Sequence, residues 1–96
     1  CDIANLKLMK TGGLLEARRL IAAARAHGLE VMCGCMVESN ASVAAAAQLA
    51  PLLDYADIDG SLLLAEDPYD GIDLADGEIR LAGQDRAGTG ARPASE

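Results

Sequence analysis

The sequence predicts an α/β fold in which parallel strands alternate with helices. Apolar strand-like runs alternate with helix-like runs, glycines stand at the junctions, and the pattern recurs at intervals of about 25 residues. Strands joined through helices form right-handed crossovers, so the sheet is expected to be parallel and covered by helices. An interval of this length matches one strand–helix unit of a (β/α)8 barrel. A doubly wound open sheet is the alternative, because three strands do not decide closure.

The first predicted unit is a buried strand at residues 3–9 followed by a helix from Leu14 to His27. Gly12-Gly13 break the strand, and Gly28 suits the left-handed position that ends a helix. His27 lies in the last turn, where we expect it to serve the helix end rather than catalysis. The helix is amphipathic, with an apolar stripe formed by Leu14, Ala17, Ile21 and Ala24.

The second and third predicted strands occupy residues 30–34 and 55–59, the latter closed by Gly60. Between them, a loop leads to Ser39 or Asn40, either of which can cap an alanine-rich helix. The order strand, helix, strand, helix, strand therefore extends over residues 1–60.

The rest of the chain is predicted to leave the sheet. Residues 61–82 begin with an apolar run, continue through a turn-rich stretch and end in a hairpin around Asp76-Gly77. Residues 83–96 consist largely of Gly, Ala, Arg, Pro and Ser, and we expect a loose, disordered tail.

Composition limits what these 96 residues can be. The chain has no Phe or Trp, so its core is thin for a freestanding domain, and we expect it to be a piece of a larger protein. The net charge of −7 argues against nucleic acid as a partner. No stretch reaches the ~20 apolar residues of a membrane span and no signal peptide is visible, which predicts no membrane partner and a cytoplasmic setting.

The cysteines and the loop that contains Gly60 do not match common metal sites. Cys1, Cys33 and Cys35 are odd in number and fit no disulfide framework, and we interpret them as buried, reduced thiols. A zinc site would need further ligands. A calcium loop aligned on Gly60 is disfavoured because it places Tyr55 at the first ligand position.

Charged side chains collect where the predicted strands end. Lys7 is the last inward position of the first strand, the loop Cys35–Glu38 follows the second, and Asp57 and Asp59 end the third. Ligands bind at the carboxyl ends of strands in both candidate folds, so these residues form the candidate site. A partly desolvated lysine can take a proton from an acidified carbon, with ion pairing to a carboxylate as the structural alternative. Two carboxylates on one side of a strand suit an ammonium group, and repulsion relieved by solvent is the alternative there.

Three stretches of the sequence carry a resemblance to a known family. They are NLKLMKTGG at residues 5–13, GCMVES at residues 34–39 and DIDG at residues 57–60. They resemble the final third of the barrel in the enolase superfamily, within its muconate-lactonizing subgroup, and most of all the dipeptide epimerases typified by L-Ala-D/L-Glu epimerase. The resemblance implies a C-terminal fragment with about three strand–helix units of a (β/α)8 TIM-type barrel. Residues 61–82 would then return to the capping domain.

The resemblance implies a role for each matching residue. Lys7 would be one of two opposed acid/base lysines, and Asp57 and Asp59 would bind the α-ammonium group of a dipeptide substrate. In the loop after the second strand, Cys35 and Val37 would contact the substrate through backbone groups, and Met36 would line the pocket. Glu38 would have a supporting role.

The resemblance also implies Mg²⁺ as cofactor, with its three carboxylate ligands and the second lysine on strands that this chain lacks. The reaction would be a 1,1-proton transfer, in which Mg²⁺ binds the substrate carboxylate and stabilises the enediolate. One lysine would remove the α-proton and the other would return one to the opposite face. We therefore expect an isomerase of peptidoglycan peptide metabolism, able to form homo-oligomers, and we expect the 96-residue chain alone to be inactive.

Two alternatives stay open at this point. Another enzyme of the subgroup, whether a cycloisomerase, an o-succinylbenzoate synthase or a racemase, shares the lysine-to-glycine motif. A non-catalytic α/β fragment is the second alternative. Its acidic rim would bind a cation or a partner, because no Lys or Arg occurs between Arg25 and Arg80.

Overall fold

A parallel three-stranded sheet forms the centre of the computed structural model, which describes residues 1–81 and 85–95. The strands are β1 (Ile3–Lys7), β2 (Glu30–Gly34) and β3 (Tyr55–Ala56), and they lie side by side in chain order. In the register, Lys7 lies opposite Gly34 and Cys33 lies opposite Ala56. The predicted parallel α/β order is therefore present, and all three carboxyl ends reach the same edge.

Helices connect the strands as predicted. A short turn of helix, α1 (Leu8–Thr11), is followed by α2 (Leu14–Ala26), and α3 (Asn40–Ala47) is followed by a 3₁₀ turn at Ala50–Leu52. On α2, the side chains of Ala17 and Ile21 are buried, which confirms the predicted apolar stripe. His27 ends the helix through its backbone, since its N–H donates to carbonyls of the last turn, and Gly28 follows in the left-handed region.

Strand β1 is shorter and more exposed than the sequence predicted. It ends at Lys7 rather than at residue 9, because Leu8 already begins α1 and its carbonyl accepts a hydrogen bond from Thr11 Oγ1 at 2.9 Å. The left-handed conformation of Gly12 (φ 90°) then ends that turn. Ile3 is 42% exposed, since among the described strands β1 pairs with β2 alone. The prediction of a strand at residues 3–9 that is buried throughout was wrong.

The third strand is also shorter than predicted. It covers Tyr55–Ala56, and the Asp57 N–H adds one further bond to the Cys33 carbonyl at 2.9 Å. The chain then turns at Asp59 into a 3₁₀ helix, Gly60–Leu63, closed by a bond from Leu62 N–H to the Asp59 carbonyl. Asp59 therefore lies beyond the strand rather than within it.

Asp54 connects three elements at the amino edge of the sheet. Asp54 Oδ2 accepts a hydrogen bond from the Val31 N–H at 2.8 Å and lies 3.1 Å from Arg25 Nη1. The bond from the Val31 N–H is the main cause that lowers the pKa of the Asp54 carboxyl, and the Arg25 charge contributes in the same direction. Strand β2, the end of α2 and the approach to β3 are thereby tied together.

The segment after the sheet is anchored to the start of α3. The Asn40 N–H donates to Asp67 Oδ2, and Asn40 Oδ1 accepts from the Ile72 N–H, both at 2.8 Å. Because Gly71 has no side chain, the backbone there can lie against Asn40 and Ala44. Residues 61–72 are thus packed against the helix, while their assignment to a segment that returns to a capping domain stays a prediction.

A hairpin and a second small pairing complete the chain. Strands β5 (Asp73–Ala75) and β6 (Glu78–Arg80) flank the turn Asp76-Gly77, both at positive φ, which confirms the predicted hairpin. Strand β4 (Tyr69–Asp70) pairs antiparallel with β7 (Arg92–Pro93). The prediction of a loose tail is therefore wrong at residues 92–93, and its boundary at residues 82–84 lies outside the described residues.

The core is small and lies between the sheet and the helices. Its largest fully buried side chains are Ile58, Val31, Val43 and Cys33. Cys33 is buried as predicted and Cys35 is partly so, but Cys1 precedes β1 and is exposed, which contradicts the prediction for that thiol. Over residues 1–81 and 85–95, every helix is too short or too polar to cross a membrane.

Candidate active site at the carboxyl edge of the sheet

Lys7 places its amine at the carboxyl edge of the sheet. It is the last residue of β1, is partly buried, and donates a hydrogen bond from Nζ to the Cys35 carbonyl oxygen at 3.0 Å. Among the described residues Lys7 forms no ion pair. The alternative role considered for it, ion pairing with a carboxylate, is therefore absent from this part of the chain. The amine is held by a neutral acceptor and keeps donors for other contacts.

The loop after β2 is organised by a buried acid. Glu38 is 7% exposed, and its two carboxylate oxygens accept from the Met36 N–H at 2.9 Å and from Ser42 Oγ at 2.5 Å. These bonds satisfy a carboxylate that would be costly to bury alone. They also tie residues 35–38 to the first turn of α3.

Two carboxylates and a thiol face one another beside this loop. One ligand atom each from Cys35, Asp57 and Asp59 lies within 4.8 Å of the others, and Cys35 Sγ is 3.9 Å from Asp59 Oδ1. Both aspartates are exposed, whereas Ile58 between them is 2% exposed and anchors the segment in the core. The two carboxylates therefore lie on the same side of this segment, close enough to share one ligand.

Gly60 allows the two loops to meet. A Cβ on this residue would lie well inside van der Waals distance of the Met36 carbonyl oxygen and 3.3 Å from Cys35 Sγ. Gly60 does not have a left-handed backbone, so the requirement for glycine comes from space alone. The backbone after Asp59 can therefore pack directly on residues 35–36.

Burial affects the second thiol of this region. Cys33 is fully buried beneath the site, and desolvation raises the pKa of its thiol, with the charges of Glu38 and Cys35 adding to the effect. A buried thiol with a raised pKa is poorly nucleophilic. Cys33 is thus a small apolar core residue.

The structure brings together most of the residues that the sequence singled out. Lys7, Cys35, Asp57 and Asp59 converge, while the side chains of Met36 and Val37 are 43% and 58% exposed on the same loop. The family resemblance implied only a supporting role for Glu38, and neither the hydrogen bonds through which it organises the loop nor the close approach at Gly60 was predicted. Glu38 binds the backbone N–H of Met36, only two residues away, and a contact of this kind leaves no periodic pattern in a sequence.

Comparison with known proteins identifies the family. Residues 1–96 match the family model described as enolase C-terminal domain-like. The chain belongs to this family. Over 76 residues it is 51% identical to the hydrophobic dipeptide epimerase of Roseobacter litoralis, a match that covers 79% of this chain and 22% of that protein. Over 77 residues it is 43% identical to the L-Ala-D/L-Glu epimerase of Bacteroides thetaiotaomicron, covering 80% of this chain and 20% of that protein.

Solved structures of enolase-type proteins show the same likeness. The dipeptide epimerase from Methylococcus capsulatus, complexed with Mg and the dipeptide L-Arg-D-Lys, aligns with a TM-score of 0.84 at 45% identity, covering 95% of this chain and 26% of that one. The chain thus spans between a fifth and about a quarter of the length of these relatives. Its three parallel strands are part of a (β/α)8 barrel, which confirms the predicted fold class and decides against the doubly wound sheet.

The donor atoms at this edge of the enolase-type barrel do not suit magnesium. In residues 1–81 and 85–95, the group of possible metal ligands that converges is Cys35, Asp57 and Asp59. Mg²⁺ takes oxygen ligands in octahedral geometry, and a thiol is a soft donor that favours other metals. These residues do not fit a Mg²⁺ site.

The packing at Gly60 predicts a large cost for a single methyl group. Gly60→Ala should lower the free energy of unfolding by about 1–3 kcal/mol, because the new Cβ collides with the backbone carbonyl of Met36. Urea denaturation of the protein that contains this segment measures the change. Gly34→Ala is the matched control, since its nearest neighbour is the movable Asn5 side chain at 3.0 Å. Equal losses in the two variants would show that the close approach is not a constraint.

Proposed function

We propose that this chain is the C-terminal part of the barrel of a dipeptide epimerase, where it supplies one acid/base lysine and the binding site for the substrate's α-ammonium group. The observation that carries the proposal is the convergence of Lys7 Nζ, the loop at Cys35 and the two aspartates at one edge of a barrel sheet. Relatives that are named dipeptide epimerases, at 43% to 51% identity, support it.

Lys7 has the chemistry that epimerisation needs on one face of the substrate. As a free amine it accepts the α-proton, so that the α-carbon–hydrogen bond breaks and an N–H bond forms. A second lysine, on a part of the barrel outside this chain, then donates a proton to the opposite face, and the configuration inverts. The hydrogen bond to the Cys35 carbonyl fixes the direction of the Lys7 amine during this exchange.

Asp57 and Asp59 are proposed to hold the far end of the dipeptide. Two exposed carboxylates a few ångströms apart repel each other, and a cation bound between them relieves that repulsion. An α-ammonium group offers three donors to such a pair. Cys35 and Val37 would contact the substrate through backbone groups, and Met36 would line the pocket. A dipeptide held there by its ammonium group would have its α-carbon oriented toward the Lys7 amine at the same edge of the sheet.

Magnesium is proposed as the cofactor of the complete enzyme because solved epimerases of this type from Methylococcus capsulatus were crystallised with it. When bound, it supplies Lewis-acid activation of the substrate carboxylate. Its ligands are proposed to lie on parts of the barrel outside this chain, since the donor set at Cys35, Asp57 and Asp59 does not fit it.

Replacement of the proposed base should affect one face of the substrate. In the full-length protein, Lys7→Ala should lower exchange of the α-proton with D2O by at least about 100-fold for one of the epimers L-Ala-L-Glu and L-Ala-D-Glu. Exchange of the other epimer, which depends on the second lysine, should persist. Proton NMR of both epimers measures the two rates. Unchanged exchange of both epimers would exclude Lys7 as a base.

Replacement of one aspartate should chiefly weaken substrate binding. Asp57→Asn removes a charge-assisted hydrogen bond and should raise the KM for the dipeptide about tenfold, with a smaller effect on kcat. The control is Asp2→Asn, which makes the same charge change at an exposed residue just before the amino end of β1, at the opposite edge of the sheet from the site. An unchanged KM in Asp57→Asn would reject the ammonium site and favour another reaction of the subgroup.

A further inference from the structure

A single peptide group lies between Lys7 and Glu38. The Cys35 carbonyl accepts from Lys7 Nζ at 3.0 Å, and the Met36 N–H donates to Glu38 Oε2 at 2.9 Å. This carbonyl and this N–H belong to the same peptide bond. Because a trans peptide is planar, they point in opposite directions, so the ammonium and the carboxylate bind opposite edges of one rigid unit.

Glu38 is a buried acid whose observed partners are neutral: its oxygens accept from the Met36 N–H and from Ser42 Oγ. In the part of the chain that the structure describes, it forms no ion pair. Within those residues, the contacts of its carboxylate are therefore hydrogen bonds to the loop and to α3. The bond to the Met36 N–H is the contact that reaches toward the candidate site.

The geometry points to Glu38 as a positioning residue for Lys7, acting through the Cys35–Met36 peptide group. The inference rests on the proposed function and deepens it, since Lys7 is the proposed base. A carboxylate that accepts from the N–H fixes the plane of the peptide group. It also polarises that group, which makes the carbonyl oxygen a stronger acceptor for the Lys7 amine.

A second contact limits the freedom of the same loop. The backbone at Gly60 packs against the Met36 carbonyl, so the peptide that follows Met36 is held from the other side. With Gly60 restraining residue 36 and Glu38 restraining the Met36 N–H, the Cys35 carbonyl has little freedom to turn. Loss of Glu38 leaves the partly buried Met36 N–H without its acceptor and favours rotation of the peptide.

The test compares α-proton exchange on the two faces in the full-length protein. Glu38→Ala should lower exchange about 100-fold for the same epimer that Lys7→Ala impairs, because displacement of a base by about 1 Å has an effect of this size. Exchange of the other epimer should change little. Glu38→Gln should recover most of the lost rate, since its amide oxygen can still accept from the Met36 N–H.

The control separates positioning from loss of stability. Val43→Ala removes two buried methyl groups of α3 next to Ser42 but neither hydrogen bond of Glu38, and it should leave the ratio of the two exchange rates unchanged. Equal loss of both rates in Glu38→Ala, or no loss, would overturn the inference while the proposed function stands. Absence of exchange by the wild-type protein with L-Ala-Glu, with L-Arg-Lys and with hydrophobic dipeptides, the classes that the relatives' names and complexes indicate, would instead overturn the proposed function.

A crystal structure of full-length Glu38→Ala tests the inference without turnover. The expected result is a Lys7 Nζ that no longer lies within hydrogen-bond distance of the Cys35 carbonyl. An amine that stays about 3.0 Å from that oxygen, as in the wild type, would overturn the inference whatever the activity.

Discussion

The parallel register of β1 on β2 is the constraint on which the candidate site depends. It places Lys7 opposite Gly34, so the lysine amine comes within hydrogen-bond distance of the Cys35 carbonyl just beyond the strand. The same sheet carries β3, whose last backbone bond, from Asp57 to Cys33, brings the two aspartates to that edge. A shift of one residue in the register would turn Lys7 to the other face of the sheet.

Two kinds of contact hold the loops after β2 and β3 in place. Hydrogen bonds do so at Glu38, where a buried carboxylate ties the loop after β2 to the helix behind it. Close packing does so at Gly60, where the absence of a side chain lets one loop rest on another. Neither contact includes a reacting group. A substitution at a residue that never touches the substrate can therefore still disturb the site.

Local patterns in the sequence were sufficient to predict several of the elements, though not all of their ends. The apolar stripe of α2, the extended run at residues 30–34 and the Asp76-Gly77 turn follow from short-range preferences, and all three were predicted. Lys7 and the two aspartates were predicted as candidate site residues because ligands bind at the carboxyl ends of strands in both candidate folds.

Long-range contacts explain what the sequence analysis missed. The early end of β1 depends on a helical turn that buries Leu8, and the pairing of β7 with β4 joins residues more than twenty positions apart. The roles of Glu38 and Gly60 depend on which backbone groups lie beside them in the fold. Such contacts are set by packing and leave no signal at a fixed spacing.

We propose that Lys7 and the two aspartates contact one dipeptide from the same edge of the barrel. A crystal structure of the full-length protein with Mg²⁺ and a bound dipeptide is the decisive test. We expect Lys7 Nζ to lie about 3–3.5 Å from the substrate's α-carbon. We also expect the α-ammonium group to lie within about 3 Å of carboxylate oxygens of Asp57 and Asp59. A dipeptide whose α-carbon lies beyond reach of Lys7, or whose ammonium group is bound elsewhere, would contradict this proposal.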